Sequence, residues 1–188
     1  MNTATPSTTK PTRVLTGKVR LSYAHLYEPY SSEEGKEKKY SVSLLIRKDD
    51  KETLAAINAA VEAAIVEGRA KWGNKLARTA LKLPLNDGDI KRPDDEDYAG
   101  CYYINASSKQ RPSVLLQNKV ASFDPRDVYS GCYARVSINF FPFAVSGNNG
   151  IAAGLGNVQK WNDGEPLGGR VSAEDEFDEL PDDGGLLD

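Results

Sequence analysis

Residues 131–143 (GCYARVSINFFPF) constrain this chain more than any other stretch, because they alternate at period two over most of their length. Val136, Ile138 and Phe140 fall on one face, and Arg135, Ser137, Asn139, Phe141 and Phe143 on the other. Only a strand keeps such a pattern one-sided. A turn signal at 146–150 (SGNNG) follows, and residues 151–161 (IAAGLGNVQKW) read as the returning arm of a hairpin. Gly154 and Gly156 interrupt that arm and predict a bulge or sharp bend, the curvature that a small closed barrel requires.

The rest of the chain supplies partners for that hairpin. From Val14 onward Val19, Leu21 and Tyr23 alternate with Lys18, Arg20 and Ser22, giving a half-buried strand. Residues 28–39 read as a polar loop, and 40–47 (YSVSLLIR) as a second strand. Asp49 and Asp50 then cap a helix carrying Leu54, Ile57, Val61 and Ile65 at spacings of three and four. Gly68, or Gly73 after a short extension, ends it. Residues 86–97 (NDGDIKRPDDED) are expected to form a surface loop, with strand character returning at 101–106 and 113–117. The fold class is therefore mainly β: an OB-fold-like five-stranded barrel with one inserted helix. Residues 1–12 read as a disordered lead-in, 13–165 as the barrel domain and 166–188 as a flexible acidic tail.

Charge is unevenly distributed in this 188-residue chain. It carries 24 Lys and Arg against 27 Asp and Glu, a net −3, but residues 173–188 hold eight acids and no base. The remainder has 24 bases against 19 acids and is +5. A basic body with an acidic tail points to a polyanionic partner and to a segment able to compete with it.

Catalysis finds little support. No phosphate-cradling GxxxxGK[ST] loop occurs, and the glycines of 150–158 sit in a strand rather than before a helix. One histidine, His25, and two cysteines, Cys101 and Cys132, give neither a zinc set nor a nucleophile–base pair, so these residues read as structural. Two cysteines also make no disulfide framework, which fits a reducing cytosol. No apolar run is long enough to span a membrane. The acids of 86–97 could hold Mg²⁺ in a nuclease, but a flexible loop does not supply converging carboxylates. The expectation is a non-enzyme without metal or cofactor; a metal-dependent nuclease and a protein-binding adaptor without DNA affinity are the alternatives.

The non-core face of 131–143 sets a cation, two small polar groups and two aromatics in one row. Phosphates would meet Arg135, and bases would stack on Phe141 or Phe143, with Asn139 between them. Lys18 and Arg20 would extend the positive track, and Lys109 and Arg111 would grip phosphate at the rim. Tyr102 and Tyr103 face opposite ways; Ile104 shares the side of Tyr102, so Tyr102 is expected in the core and Tyr103 in the stacking row. Trp161 is either a lid or a further platform. In the tail, Glu174, Asp175, Glu176, Phe177, Asp178, Glu179 and Leu180 set apolar anchors among acids, a composition suited to docking on a partner protein or imitating a phosphate backbone.

The segments TGKVRLSYAHLYEP, KYSVSLLIRKDD, LNDGD, GCYYINASSKQRPSV, SGCYARVSINFFPF and GIAAGLGNVQKWNDGEPLGGR, in this order, closely resemble a bacteriophage and prophage family of single-stranded-DNA-binding proteins. The resemblance covers about residues 13–180. It implies an OB-fold core and sequence-independent binding of single-stranded DNA in phage replication, recombination or repair. It also implies an acidic tail that recruits replication or recombination proteins, although GGLLD departs from the ending of well-known relatives. A homodimer is one further option for partnership.

Overall fold

The computed structural model describes residues 10–168. They form one strongly curved sheet with a single long helix against it. The strands are β1 (Arg13–Leu15), β2 (Val19–Tyr30), β3 (Lys39–Arg47), β4 (Asn86–Asp87), β5 (Cys101–Ser108), β6 (Val114–Leu115), β7 (Tyr133–Val145) and β8 (Asn148–Asn162). The helices are α1 (Lys51–Trp72) and the single turn α2 (Gly88–Lys91). Five strands make the barrel. β2 pairs with β3 and β3 with β5, both antiparallel; β5 meets β8 in parallel; β8 pairs with β7, and β7 returns to β2. This is the mainly β, partly closed architecture with one inserted helix that the alternation predicts. The helix lies between the second and third barrel strands.

Burial fixes the register. Val136, Ile138 and Phe140 are fully buried, as are Leu21, Leu44, Ile46 and Ile104 on the neighbouring strands. Each such side chain contributes about 1.5–3 kcal/mol over its exposed state. A one-residue slip of β7 would send Arg135 and Asn139 inward instead. The bend expected at the glycines occurs. Ile138 pairs with Leu155 but Val136 with Val158, so β8 carries an extra residue around Gly156 and Asn157.

α1 begins where Asp50 accepts a hydrogen bond from the Thr53 amide and ends at Gly73, whose φ of +80° suits glycine. Gly68 lies inside the helix rather than at its end. Any Cβ there would strike the ring of Trp72, which folds back over that turn and donates from Nε1 to the Phe143 carbonyl at 3.0 Å. Leu54, Ile57, Val61 and Ile65 face the barrel as their spacing requires.

Three expectations need correction. Residues 10–12 are part of the fold: Thr12 is buried, its carbonyl accepts from the Phe140 amide and its hydroxyl donates to Asn139. β2 does not alternate throughout, because Tyr23 adopts φ +47° at a register shift. Tyr23 is consequently exposed and Leu26 resumes the core face, while Ser22 keeps its outward parity and is buried beneath Tyr98. Residues 86–98 are no mere loop. β4 pairs with β5, α2 follows, and Tyr98 is driven to 1% exposure, donating to Ser22 or Ser43 at 3.2 and 3.3 Å. Residues 166–188 include the tail, of which only Pro166, Leu167 and Gly168 are described; Leu167 is tied by its amide to the Ser130 carbonyl. The anchors Glu174, Asp175, Glu176, Phe177, Asp178, Glu179 and Leu180 lie outside the described residues.

Candidate nucleic-acid interface

Strand alternation turns one side of β7 outward, and its neighbours add to that side. β1 sets Arg13 opposite Asn139 and Leu15 opposite Ser137; β8 sets Gln159 opposite Arg135, Gly154 opposite Asn139 and Ala152 opposite Phe141. Together with Lys10 and Leu115 these residues, Ala152 excepted, line a groove of about 960 Å³. Its charged lining is Lys10, Arg13 and Arg135, with no carboxylate among the described residues. Its floor is low because Gly154 and Gly156 have no side chains. A Cβ on Gly154 would press on the Asn139 carbonyl at 3.2 Å and the Phe141 ring at 3.4 Å. Phe141 stands at one end, 44% exposed.

Arg135 is aimed by a short relay. Its Nε donates to Gln159 Oε1 at 2.8 Å, and Gln159 Nε2 in turn donates to the carbonyls of Leu116 and Gln117. The guanidinium is therefore held at the groove while its terminal nitrogens carry no hydrogen bond among the described residues. A fixed fork of that kind suits a phosphate oxygen.

The structure divides the residues expected at the interface. Arg135, Asn139 and Phe141 come together in the groove. Lys18 and Arg20 line a separate hollow of about 460 Å³ with Arg47, Glu96, Asp97, Cys101 and Tyr133. There Lys18 lies over the Tyr133 ring at 4.8 Å. Arg20 is spent on the fold, donating to the carbonyls of Gly131 and Glu165 and lying 3.8 Å from Asp97. Lys109 is exposed but pairs with Glu37 at 3.4 Å. Arg111 lies over the ring of Phe123. Phe143 is half-buried, its ring against Gly150 rather than in the groove. Trp161 is 45% exposed beyond Gln159, its carbonyl accepting from Nε2 of the Gln117 side chain.

Tyr103 is the clear misplacement. It does lie opposite Tyr102 on β5, but that outer face is covered by residues 86–98. Tyr103 packs edge-on against Tyr98 with ring centroids 5.1 Å apart and is buried with Leu45, so no base can reach it. Four of the six acids of that same segment have partners: Asp87 and Asp89 both pair with Lys48, Asp95 with Arg92 and the Asp97 amide, and Asp97 lies 3.8 Å from Arg20. Lys48 accordingly holds its proton more tightly than an ordinary lysine, and Asp89 is pulled below the usual carboxylate range, chiefly by hydrogen bonding to Lys48. Among the described residues no three His, Cys, Asp or Glu converge as a metal site, and no helix is long and apolar enough to cross a membrane.

Lys10 and Arg13, which the fold brings into the groove with Arg135, are not singled out by the sequence. The alternation that starts at Val14 already turns Arg13 outward; Lys10 sits among Thr, Ser and Pro, and nothing in its neighbourhood marks it.

A partly closed barrel of this connectivity, with a basic groove over its outer face, is the build of an oligonucleotide-binding domain. The chain belongs to the family of the single-stranded-DNA-binding protein of Enterobacter phage Enc34, whose family model matches residues 12–187. It is similar to protein p50 of Acyrthosiphon pisum secondary endosymbiont phage 1, 35% identical over 173 residues that cover 86% of this chain and 90% of that one. Among solved structures it resembles the Enc34 protein in complex with single-stranded DNA, with a TM-score of 0.71 and 32% identity over 85% of this chain and 91% of that one. Gp2.5, a single-stranded-DNA-binding protein encoded by bacteriophage T7, shares the fold at 14% identity, with a TM-score of 0.57 over 85% of this chain and 96% of that one.

Proposed function

We propose that this protein binds single-stranded DNA without sequence preference along the groove between β1, β7, β8 and β6. The observation that carries the reading is a groove whose charged lining among the described residues is cationic, from Lys10, Arg13 and Arg135, over a glycine floor with Phe141 at its end. Unpaired strands suit such a surface, since phosphates find cations and any base offers a face to an aromatic ring. Membership of a phage family whose Enc34 relative is solved with single-stranded DNA supports it.

In this reading the protein coats and protects exposed strands during phage replication, recombination and repair in the host cytoplasm. It needs no metal and performs no chemistry. The acidic tail, centred on Phe177 and Leu180, recruits replication or recombination proteins and competes with DNA for the basic groove. Retardation of labelled single-stranded and duplex oligonucleotides, with and without Mg²⁺, tests the first part. Preferential retardation of single strands is expected, and neither cleavage with Mg²⁺ nor equal indifference to both forms is compatible with it. Removal of residues 173–188 should tighten binding at low salt; unchanged affinity would remove the competition.

A further inference from the structure

Phe123 is the most exposed large apolar side chain among the described residues, at 75%. It belongs to no core cluster, and the guanidinium of Arg111 lies 5.6 Å from its ring centroid. Its position relative to the groove follows from backbone pairing. Leu115 lines the groove and is bridged antiparallel to Ala121, so the two side chains share a face. Phe123 stands two residues beyond Ala121 in the same phase. The intervening Ser122 points the other way, buried and hydrogen-bonded to Tyr27 and Asp127. Arg111 is likewise in phase with Leu115 on the opposite limb. The limb is held against β8 by the Val158 amide donating to the Ser113 carbonyl at 2.9 Å. Gln159 completes the link, joining Arg135 on one side to the carbonyls of Leu116 and Gln117 on the other.

Resting on the DNA-binding reading above, we infer that Phe123, backed by Arg111, is a second base-stacking platform, reached by a strand that leaves the groove across Leu115. A lone exposed phenylalanine is ordinary, but one in phase with a residue of the groove lining and flanked by a guanidinium offers a face on which a base can stack. The neighbouring guanidinium supplies a cation for the phosphate next to that base and can itself stack on the base's other face. The single-stranded path is then longer than the groove proper, with Phe141 and Phe123 as its two aromatic stations.

The test uses the full chain and a fluorescein-labelled thymidine oligonucleotide of about 30 nucleotides, read by anisotropy across a salt series. Phe123→Ala should weaken binding on the order of tenfold with the salt slope unchanged. Phe123→Trp should retain affinity, and its added fluorescence should be quenched by the oligonucleotide beyond the quenching in the unaltered protein. Arg135→Ala serves as the control for the groove. If the unaltered protein binds, Arg135→Ala weakens it and Phe123→Ala binds normally, the platform is disproved while the groove stands. If the unaltered protein fails to bind at all, the groove reading itself falls. A Phe123→Ala protein that changes only its self-association by sedimentation also overturns the platform, because Phe123 would then be a contact between copies.

Discussion

Gly156 on β8 lies directly against Ser137 on β7: the Asn157 amide donates to Ser137 Oγ at 2.7 Å, and a Cβ on Gly156 would fall within contact of both that oxygen and the Ser137 carbonyl. The bulge that bends the barrel and the low floor of the groove are thus one feature. Gly156→Ala should overpack it, lowering stability by about 1–3 kcal/mol in a urea titration. Gly154→Ala meets its neighbours at 3.2 Å or more, so its loss should be smaller, while its methyl group raises the floor beside Phe141 and weakens oligonucleotide binding. Equal stability of Gly156→Ala and the unaltered chain would mean the two strands are not so closely apposed.

Arg135 and Phe141 sit on the same row of β7 but should fail in different ways when removed. A cation that meets a phosphate releases a counterion, so Arg135→Ala should reduce the log–log salt slope by about 0.7. Phe141 carries no charge; Phe141→Ala should cost about 1–3 kcal/mol of binding and leave the slope alone. A salt titration of both variants by anisotropy separates them, and identical slopes would deny Arg135 its phosphate.

How far the sequence discloses this arrangement follows from where each partner comes from. The alternation of 131–143 is local, so the outward row of Arg135, Asn139 and Phe141 is legible, as is the glycine bend opposite it. The outer face of β5 is not. Tyr103 obeys its parity, yet its burial depends on Tyr98 arriving from a polar, acidic segment whose composition resembles any surface loop. Arg20 fails for the same reason, since its carbonyl partners on Gly131 and Glu165 lie more than a hundred residues away in sequence. Local periodicity tells which side a residue faces. It does not tell what later segment will cover that side.

Tyr98 offers a direct measure of that covering segment. Its hydroxyl lies between Ser22 and Ser43, all three buried. Tyr98→Phe keeps the ring and its contact with Tyr103 but leaves the serine hydroxyls short of a partner, which should cost about 1–3 kcal/mol. The expected result is a lower denaturation midpoint with oligonucleotide affinity unchanged, because Tyr98 is remote from the groove. A loss of binding at full stability would place residues 86–98 in the interface after all.

His25 should make stability depend on pH. It is stacked on Tyr30 with ring centroids 4.2 Å apart, and burial lowers its pKa from the ordinary 6.5. The folded chain therefore takes up this proton less readily than the unfolded one, and protonation favours unfolding. Its contribution is complete above the unfolded value and declines as the pH falls through about 6.5 toward the folded pKa. Urea midpoints between about pH 7.5 and 5.5, a range in which ordinary carboxylates stay ionised, should fall on acidification. His25→Gln should flatten that fall. A slope that persists unchanged in His25→Gln would assign the effect to another group.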